Sequence, residues 1–316
     1  MLEFADYHSH PAYRFRGSAF ESAKETVRLL PSLLRSTVIH LRELPLSPDY
    51  KHNAESELAR QFYQDGYLKL DFGMRAAQDI LACVRKVLDP WRDQHRAIPP
   101  ECRTMWNALR DLPLADHEDL YSCVNDHLPV EAAEVLKALL NADRPTHIQL
   151  SNFMSDDAPL FRMGSKSSTK YSPWHVDPVI KTLKIIIYLC DVTEENGPFH
   201  YLSGSHLLND SILDRVVMHA HRFTFSGKPG WTWFNDEANR RRFAALPGFL
   251  QKKNTIGTDF VDSWEMLDSR SDDIQVLTGR PGSAALFDPI GIHRGGQILH
   301  GERTALILIY GYAKHS

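Results

Sequence analysis

The sequence predicts a mainly β fold with flanking helices, built on a two-sheet sandwich or jelly roll. Three observations carry this. From His147 onward the chain is a succession of short alternating or apolar segments. Turns rich in Gly, Pro and Asn separate those segments, as at Glu194-Glu-Asn-Gly-Pro198 and Asp288-Pro289. The part before His147 has apolar residues mostly at helical spacing.

In chain order, Ser18–Leu30 reads as a helix with Phe20, Ala23, Val27 and Leu30 as its apolar stripe. Pro45 and Pro48 mark a connection. Ala54–Asp65 is a second helix, with Leu58, Phe62 and Tyr63 on one face and Gly66 as its stop. Tyr67–Phe72 alternates as a half-buried strand. Arg75–Val87 is a third helix whose inner stripe is Ala76, Ile80, Val84 and Val87. Thr146–Met154 alternates, and a polar loop through Lys170 leads to His175-Val176-Asp177 and the apolar run Ile180–Cys190. Phe199–His206, Ile274–Thr278, Gly282–Phe287 and Thr304–Tyr312 complete the strands. A single domain is expected, with 1–50 an N-terminal extension and 51–145 a helical support. Residues 146–206 and 273–316 form the β core, and 207–272 a lid-like insertion.

Composition narrows the function classes. A hydrophobic content of 43% supports a sizeable core, and a net charge of −4 without basic blocks points away from nucleic acid. Cys83, Cys102, Cys123 and Cys190 form no CxxC pair, which fits a reducing compartment. The start of the chain lacks a signal-peptide pattern, and no apolar run is long enough to span a membrane. A cytoplasmic protein without a membrane span is the expectation, with its oligomeric state open.

His175-Val176-Asp177 is the most informative motif. On a strand, residues i and i+2 project from one face, so the imidazole and carboxylate would lie side by side. With His293 added, this is the two-histidine, one-carboxylate set that binds non-haem Fe(II) and leaves other positions open. Taken alone, the pair reads equally well as a buried hydrogen-bonded pair. With 16 His in the chain, about one His-x-Asp arises by chance. A second, His117-Glu118-Asp119, lies at a helix start, where i and i+2 diverge, and reads as solvated surface.

Around the motif stand Asp191-Val-Thr-Glu-Glu-Asn-Gly-Pro198, Ser203-Gly-Ser-His206, and Arg303, ten residues after His293. With Trp174-His-Val-Asp177 and the opening Phe62–Leu70, this order resembles the phytanoyl-CoA dioxygenase family of Fe(II)/2-oxoglutarate oxygenases. The resemblance covers roughly 58–312 and is weak over 90–145 and 207–272. Ser203 stands where the family usually has Pro, a change confined to a turn. The insertion before the distal His is longer than is usual. The resemblance implies a double-stranded β-helix (jelly-roll, cupin-like) core. It also implies His175, Asp177 and His293 as metal ligands, with Fe(II), 2-oxoglutarate and O2 as cofactor and co-substrates.

Chemistry suggests the remaining roles. A 2-oxo acid chelates through its keto oxygen and carboxylate, and its far carboxylate needs a cation, for which the guanidinium of Arg303 is suited. Gln149 and Lys170 are further candidates for cofactor contact, and Lys170 reads as readily as solvated loop. The expected reaction is hydroxylation or desaturation of a small organic molecule, coupled to decarboxylation of 2-oxoglutarate to succinate and CO2. The retained Asp177 favours hydroxylation over halogenation, because related halogenases carry a small residue there. Trp231, Trp233 and Phe234 beside Arg222 and Lys228 suit a partly hydrophobic, anionic substrate, and equally an ordinary lid core. A JmjC-type protein hydroxylase, a zinc hydrolase and a non-catalytic jelly-roll binding module are the alternatives.

Overall fold

The structure is a computed structural model. It describes residues 18–43, 56–99, 102, 108–155, 176–177, 182–209, 211–225, 237–251, 271–296 and 298–311. The strands are β1 (Tyr67–Asp71), β2 (Leu109–Leu112), β3 (His147–Met154), β4 (Leu183–Tyr188), β5 (Phe199–Leu202), β6 (Ile274–Leu277), β7 (Ser283–Phe287), β8 (His293–Gly295) and β9 (Glu302–Tyr310). They form two antiparallel sheets, one ordered β1-β7-β4-β9-β3-β2 and the other β6-β5-β8. Neighbours far apart in sequence pair throughout, as the predicted jelly roll requires.

The large sheet separates two kinds of packing. Its outer face carries Leu183, Ile185, Ile187, Leu286, Leu306 and Leu308, buried against helices. Those helices are α2 (Glu57–Asp65), α3 (Gly73–Ala97), α4 (Glu118–Asp126) and α5 (Val130–Leu140). Tyr121 pins them to the sheet: its hydroxyl donates to the Leu112 carbonyl and accepts from the Ile148 N–H. The inner face carries Ile186, Tyr188, Ala285, Phe287 and Ala305, which pack against Phe199, Tyr201 and Leu277 of the small sheet. The site is built in this second layer. The burial of β4 at every position but Lys184 follows from its central place, with apolar neighbours on both sides.

Local chemistry explains where helices begin and end. Ser56 caps α2 by accepting from the Ala59 N–H. Gly66 ends it in the left-handed region at φ 68°, with its N–H returned to the Phe62 carbonyl. A side chain at Gly66 would collide with His206 and Tyr201. Helix α3 runs ten residues past the predicted end and through Pro90. Its buried stripe of Ala76, Ile80, Val84, Leu88, Trp91 and His95 supplies the tertiary packing that outweighs one lost hydrogen bond. His117 precedes α4, and Glu118 and Asp119 are exposed in its first turn, as predicted for the second His-x-Asp.

The N-terminal helix differs from expectation in length and in face. Helix α1 (Ala19–Glu43) opens with a reciprocal cap, Glu21 N–H to Ser18 Oγ and Ser18 N–H to Glu21 Oε2, and continues through Pro31. Phe20 and Val27, predicted inward, are 77% and 64% exposed. Leu29, Ser36 and His40 are buried instead, against α6 (Ile212–Phe225) and α7 (Glu237–Ala245) of the insertion. Polar pairs select this face: Arg242 with Glu25, Thr224 with Ser32, and His40 Nε2 at 3.2 Å from His219 Nδ1. Apolar periodicity was present on both sides of α1, so it could not choose between them. The helical part of the insertion therefore packs on α1. Trp231, Trp233, Phe234 and Lys228 lie outside the described residues, as does the side chain of Arg222.

This helical layer makes folding sensitive to acid. Burial, with the charge on His219 and Arg215 adding to it, pushes His40 down to about 4, and burial alone pushes His221 to about 4. Both folded values lie below the unfolded value of ~6.5. The unfolded chain therefore binds more protons below that pH, so the stabilisation is complete above ~6.5 and is lost as pH falls toward 4. Urea unfolding followed by circular dichroism is expected to show a lower midpoint at pH 5 than at pH 7.5. The slope should approach ~1.4 kcal/mol per pH unit per histidine. Equal midpoints would contradict the buried neutral state of both rings.

Candidate functional site

Asp177 and His293, far apart in the sequence, meet between the sheets. Val176 and Asp177 are not in a strand. The Asp177 N–H instead donates to the Pro289 carbonyl at 2.7 Å, tying the carboxylate to the segment that leads into β8. Asp177 Oδ2 lies 3.7 Å from His293 Nε2. The other ring nitrogen, Nδ1, sits 2.8 Å from the Gly291 carbonyl, so it carries the proton and donates. In the neutral ring this tautomer makes Nε2, on the side of Asp177, the nitrogen able to bind a metal. Histidines that bind metals are commonly oriented this way by a carbonyl behind the ring.

The turns read from the sequence hold this pair in place. Ser205 Oγ donates to the Leu202 carbonyl and accepts from the Ile292 N–H, next to the histidine. His206 Nε2 donates to the Tyr63 carbonyl at the end of α2, so His206 closes the loop and does not join the site. Asp288 Oδ1 accepts from the Ile290 N–H, and Gly291 leaves no room for a side chain against Tyr201. Phe199 and Phe287 flank the His293 ring at 5.8 and 5.2 Å between centroids.

Arg303 opens β9 and is 6% exposed. One guanidinium nitrogen donates to the Gly197 carbonyl. Gly197, at φ 85°, belongs to the Asn-Gly-Pro turn, where Asn196 Oδ1 accepts from the Thr193 N–H and Nδ2 donates to the Asp191 carbonyl. A side chain at Gly197 would meet Ile298 at 2.7 Å. The turn thus aims a carbonyl at Arg303. Phe153 lies beneath the guanidinium at 5.4 Å. Its Nε is buried without a hydrogen-bond partner, and no carboxylate pairs with it among the described residues. A buried charge left without an anion is costly, so this cradle fits an anionic ligand. Burial draws Arg303 downward from its usual value, while Tyr188 beside it is pushed up to about 12 by its own burial.

Gln149 lies on the inner face, since Gln149 pairs with Ile307, Ser151 with Ala305 and Phe153 with Arg303. One same-face register pair, Ser151 with Ala305, lies between it and Arg303, and its amide donates to Asp111, which also holds His147. His175 and Lys170 lie outside the described residues. Within those residues no third His, Cys, Asp or Glu completes a metal-binding group. The sequence of β4, apolar on both faces, does not show which of them points inward. Lys184, Ile186 and Tyr188 do, and Lys184 Nζ reaches Asp177 Oδ2 at 2.5 Å. Its alternation with Ile185 and Ile187 was the available signal, but a central strand apolar on both faces conceals it.

The sequence profile of the phytanoyl-CoA dioxygenase (PhyH) family matches residues 62–303. No curated protein matches the chain. Among solved structures, the chain is similar to EctD from S. alaskensis with 2-oxoglutarate and 5-hydroxyectoine, at 16% identity and a TM-score of 0.46, over 81% of this chain and 76% of that one. It is also similar to SnoK, a non-heme alpha-ketoglutarate-dependent carbocyclase from nogalamycin biosynthesis, at 16% and 0.45, over 82% and 84%. HygX from Streptomyces hygroscopicus with nickel and 2-oxoglutarate bound is a third, at 14% and 0.43, over 80% and 85%.

Proposed function

The chain belongs to the phytanoyl-CoA dioxygenase family of Fe(II)/2-oxoglutarate-dependent oxygenases, and from that premise we propose that it hydroxylates a small organic molecule at the Asp177–His293 site. The observation that carries the reading is the approach of His293 Nε2 to the Asp177 carboxylate at 3.7 Å, with Nδ1 of the same ring turned to the Gly291 carbonyl. Ligands about 2.1 Å from one ion at adjacent octahedral positions sit ~3 Å apart, so a small inward movement suffices. His175, two residues from Asp177, is the proposed third ligand. Iron and 2-oxoglutarate, when bound, would supply the oxidising chemistry with O2 as oxidant, one oxygen atom entering the product hydroxyl and the other succinate, with CO2 released.

The chain's own residues bind, orient and shield. Arg303 holds the far carboxylate of 2-oxoglutarate, and the Gly197 carbonyl fixes the plane of its guanidinium. Phe199, Tyr201 and Phe287 make the wall beside His293 apolar, excluding water from the reacting end. The Gly291 carbonyl keeps the histidine in its metal-binding tautomer. Gln149, held by Asp111, is proposed to line the pocket rather than to grip the co-substrate. The described helices include none long and apolar enough to cross a membrane.

The test is succinate release. Protein reconstituted with Fe(II) is supplied with 2-oxoglutarate and a panel of small metabolites, with and without anionic groups. Release stimulated by one member, with a product 16 mass units heavier, is the expected result. Succinate formation that no small molecule stimulates, but a protein substrate does, would overturn the small-molecule reading.

A further inference from the structure

Lys184 places a cation at the oxygen that a metal would use. Its ammonium lies 2.5 Å from Asp177 Oδ2, and that same oxygen is the one 3.7 Å from His293 Nε2. Both side chains of the ion pair are 18% exposed, so solvent screens the contact only in part. Asp177 is the only polar partner of Lys184 among the described residues. The lysine stem rises from the middle of the large sheet, with Lys184 opposite Phe287 on β7 and Ile309 on β9. Apolar neighbours on both sides leave the ammonium no other described anion. The contact therefore comes from the architecture of β4 and is not an incidental surface pairing.

We propose that Lys184 is the resident counter-cation of the metal-ligand carboxylate, exchanged for the ion when metal enters. This rests on the reading of Asp177 and His293 as ligands. Without metal, the ammonium offsets the charge of Asp177 and holds its Oδ2 on the side of His293. A divalent ion on Oδ2 cannot share that oxygen at 2.5 Å with an ammonium, because two cations so close repel strongly. Lys184 must then swing along its flexible stem toward the pocket, where it is available to an anionic group of substrate or co-substrate. The lysine thereby lowers the affinity of the site for metal in return for a stable metal-free protein.

The test uses metal-free full-length protein and Mn(II) alone as probe, titrated by electron paramagnetic resonance, with thermal melting of each metal-free variant. Lys184→Met is expected to bind Mn(II) about tenfold tighter or more, since a competing charge is gone. Its metal-free form should melt at a lower temperature than wild type, and its gain in melting temperature on adding Mn(II) should be larger. Lys184→Arg, which keeps the charge, should restore wild-type behaviour in both measurements. Lys184→Gln provides the same comparison if Met at this position prevents folding. Unchanged or weaker Mn(II) binding in both neutral variants would overturn the exchange and make Lys184 a support for the ligand. Wild-type protein that takes up no Mn(II) would instead refute the metal-ligand reading of Asp177 and His293, and the inference with it.

Discussion

Arg303→Met is expected to abolish use of 2-oxoglutarate while leaving the metal-free protein as stable as wild type, or more so. The two halves of this result have one cause. The guanidinium is buried, has one carbonyl partner at Gly197, and meets no carboxylate among the described residues. In the absence of ligand the protein carries the desolvation cost of a charge without its compensation. Methionine is of similar reach and fills the space above Phe153 and beside Tyr188 without that cost. When the dicarboxylate binds, the same charge becomes a charge-assisted partner. Losing it is expected to cost about 3–5 kcal/mol, or ~10²–10⁴-fold in affinity. Binding of 2-oxoglutarate by calorimetry and melting without it are the two measurements. A large drop in melting temperature would mean that Arg303 is structural. Unchanged binding would move the co-substrate cation elsewhere.

Asp177→Ala is expected to lower substrate-coupled turnover by more than ~10³-fold, since a three-ligand site that loses its only carboxylate loses both a donor and its charge. The substitution also leaves the Lys184 ammonium without a partner, so some loss of stability is expected alongside. Asp177→Asn separates the effects: its amide oxygen still accepts a hydrogen bond from Lys184, so it should be more stable than Asp177→Ala yet remain severely impaired. Circular dichroism and succinate release on the same preparations distinguish the two losses. A rate within tenfold of wild type in Asp177→Ala would sink the assignment of Asp177 as a ligand.

Several elements of this site were legible in the chain because their causes are local. Alternation marked β1 and β3, and a glycine after Asp65 marked the end of α2. The Asn-Gly-Pro turn was evident from its residues, since only a few types favour a positive φ. Other features were hidden because several solutions shared the same local signal. Helix α1 offers apolar residues on two sides, and contacts from α6 and α7 chose Leu29 and His40 over Phe20 and Val27. Strand β4 is apolar on both faces, so its inward row could not be read until both neighbours were known.

By itself the sequence determined the jelly-roll class, the order of motifs and the candidates Asp177, His293 and Arg303, because turn chemistry and periodicity act over a few residues. Tertiary structure alone decided that Asp177 is held by the Pro289 carbonyl, that His293 turns Nε2 toward Asp177, and that Arg303 is buried without an anion among the described residues. It also brought Lys184 to the same oxygen as His293. These are consequences of strand register and loop closure across more than a hundred residues, and no local pattern encodes the distance between two such points.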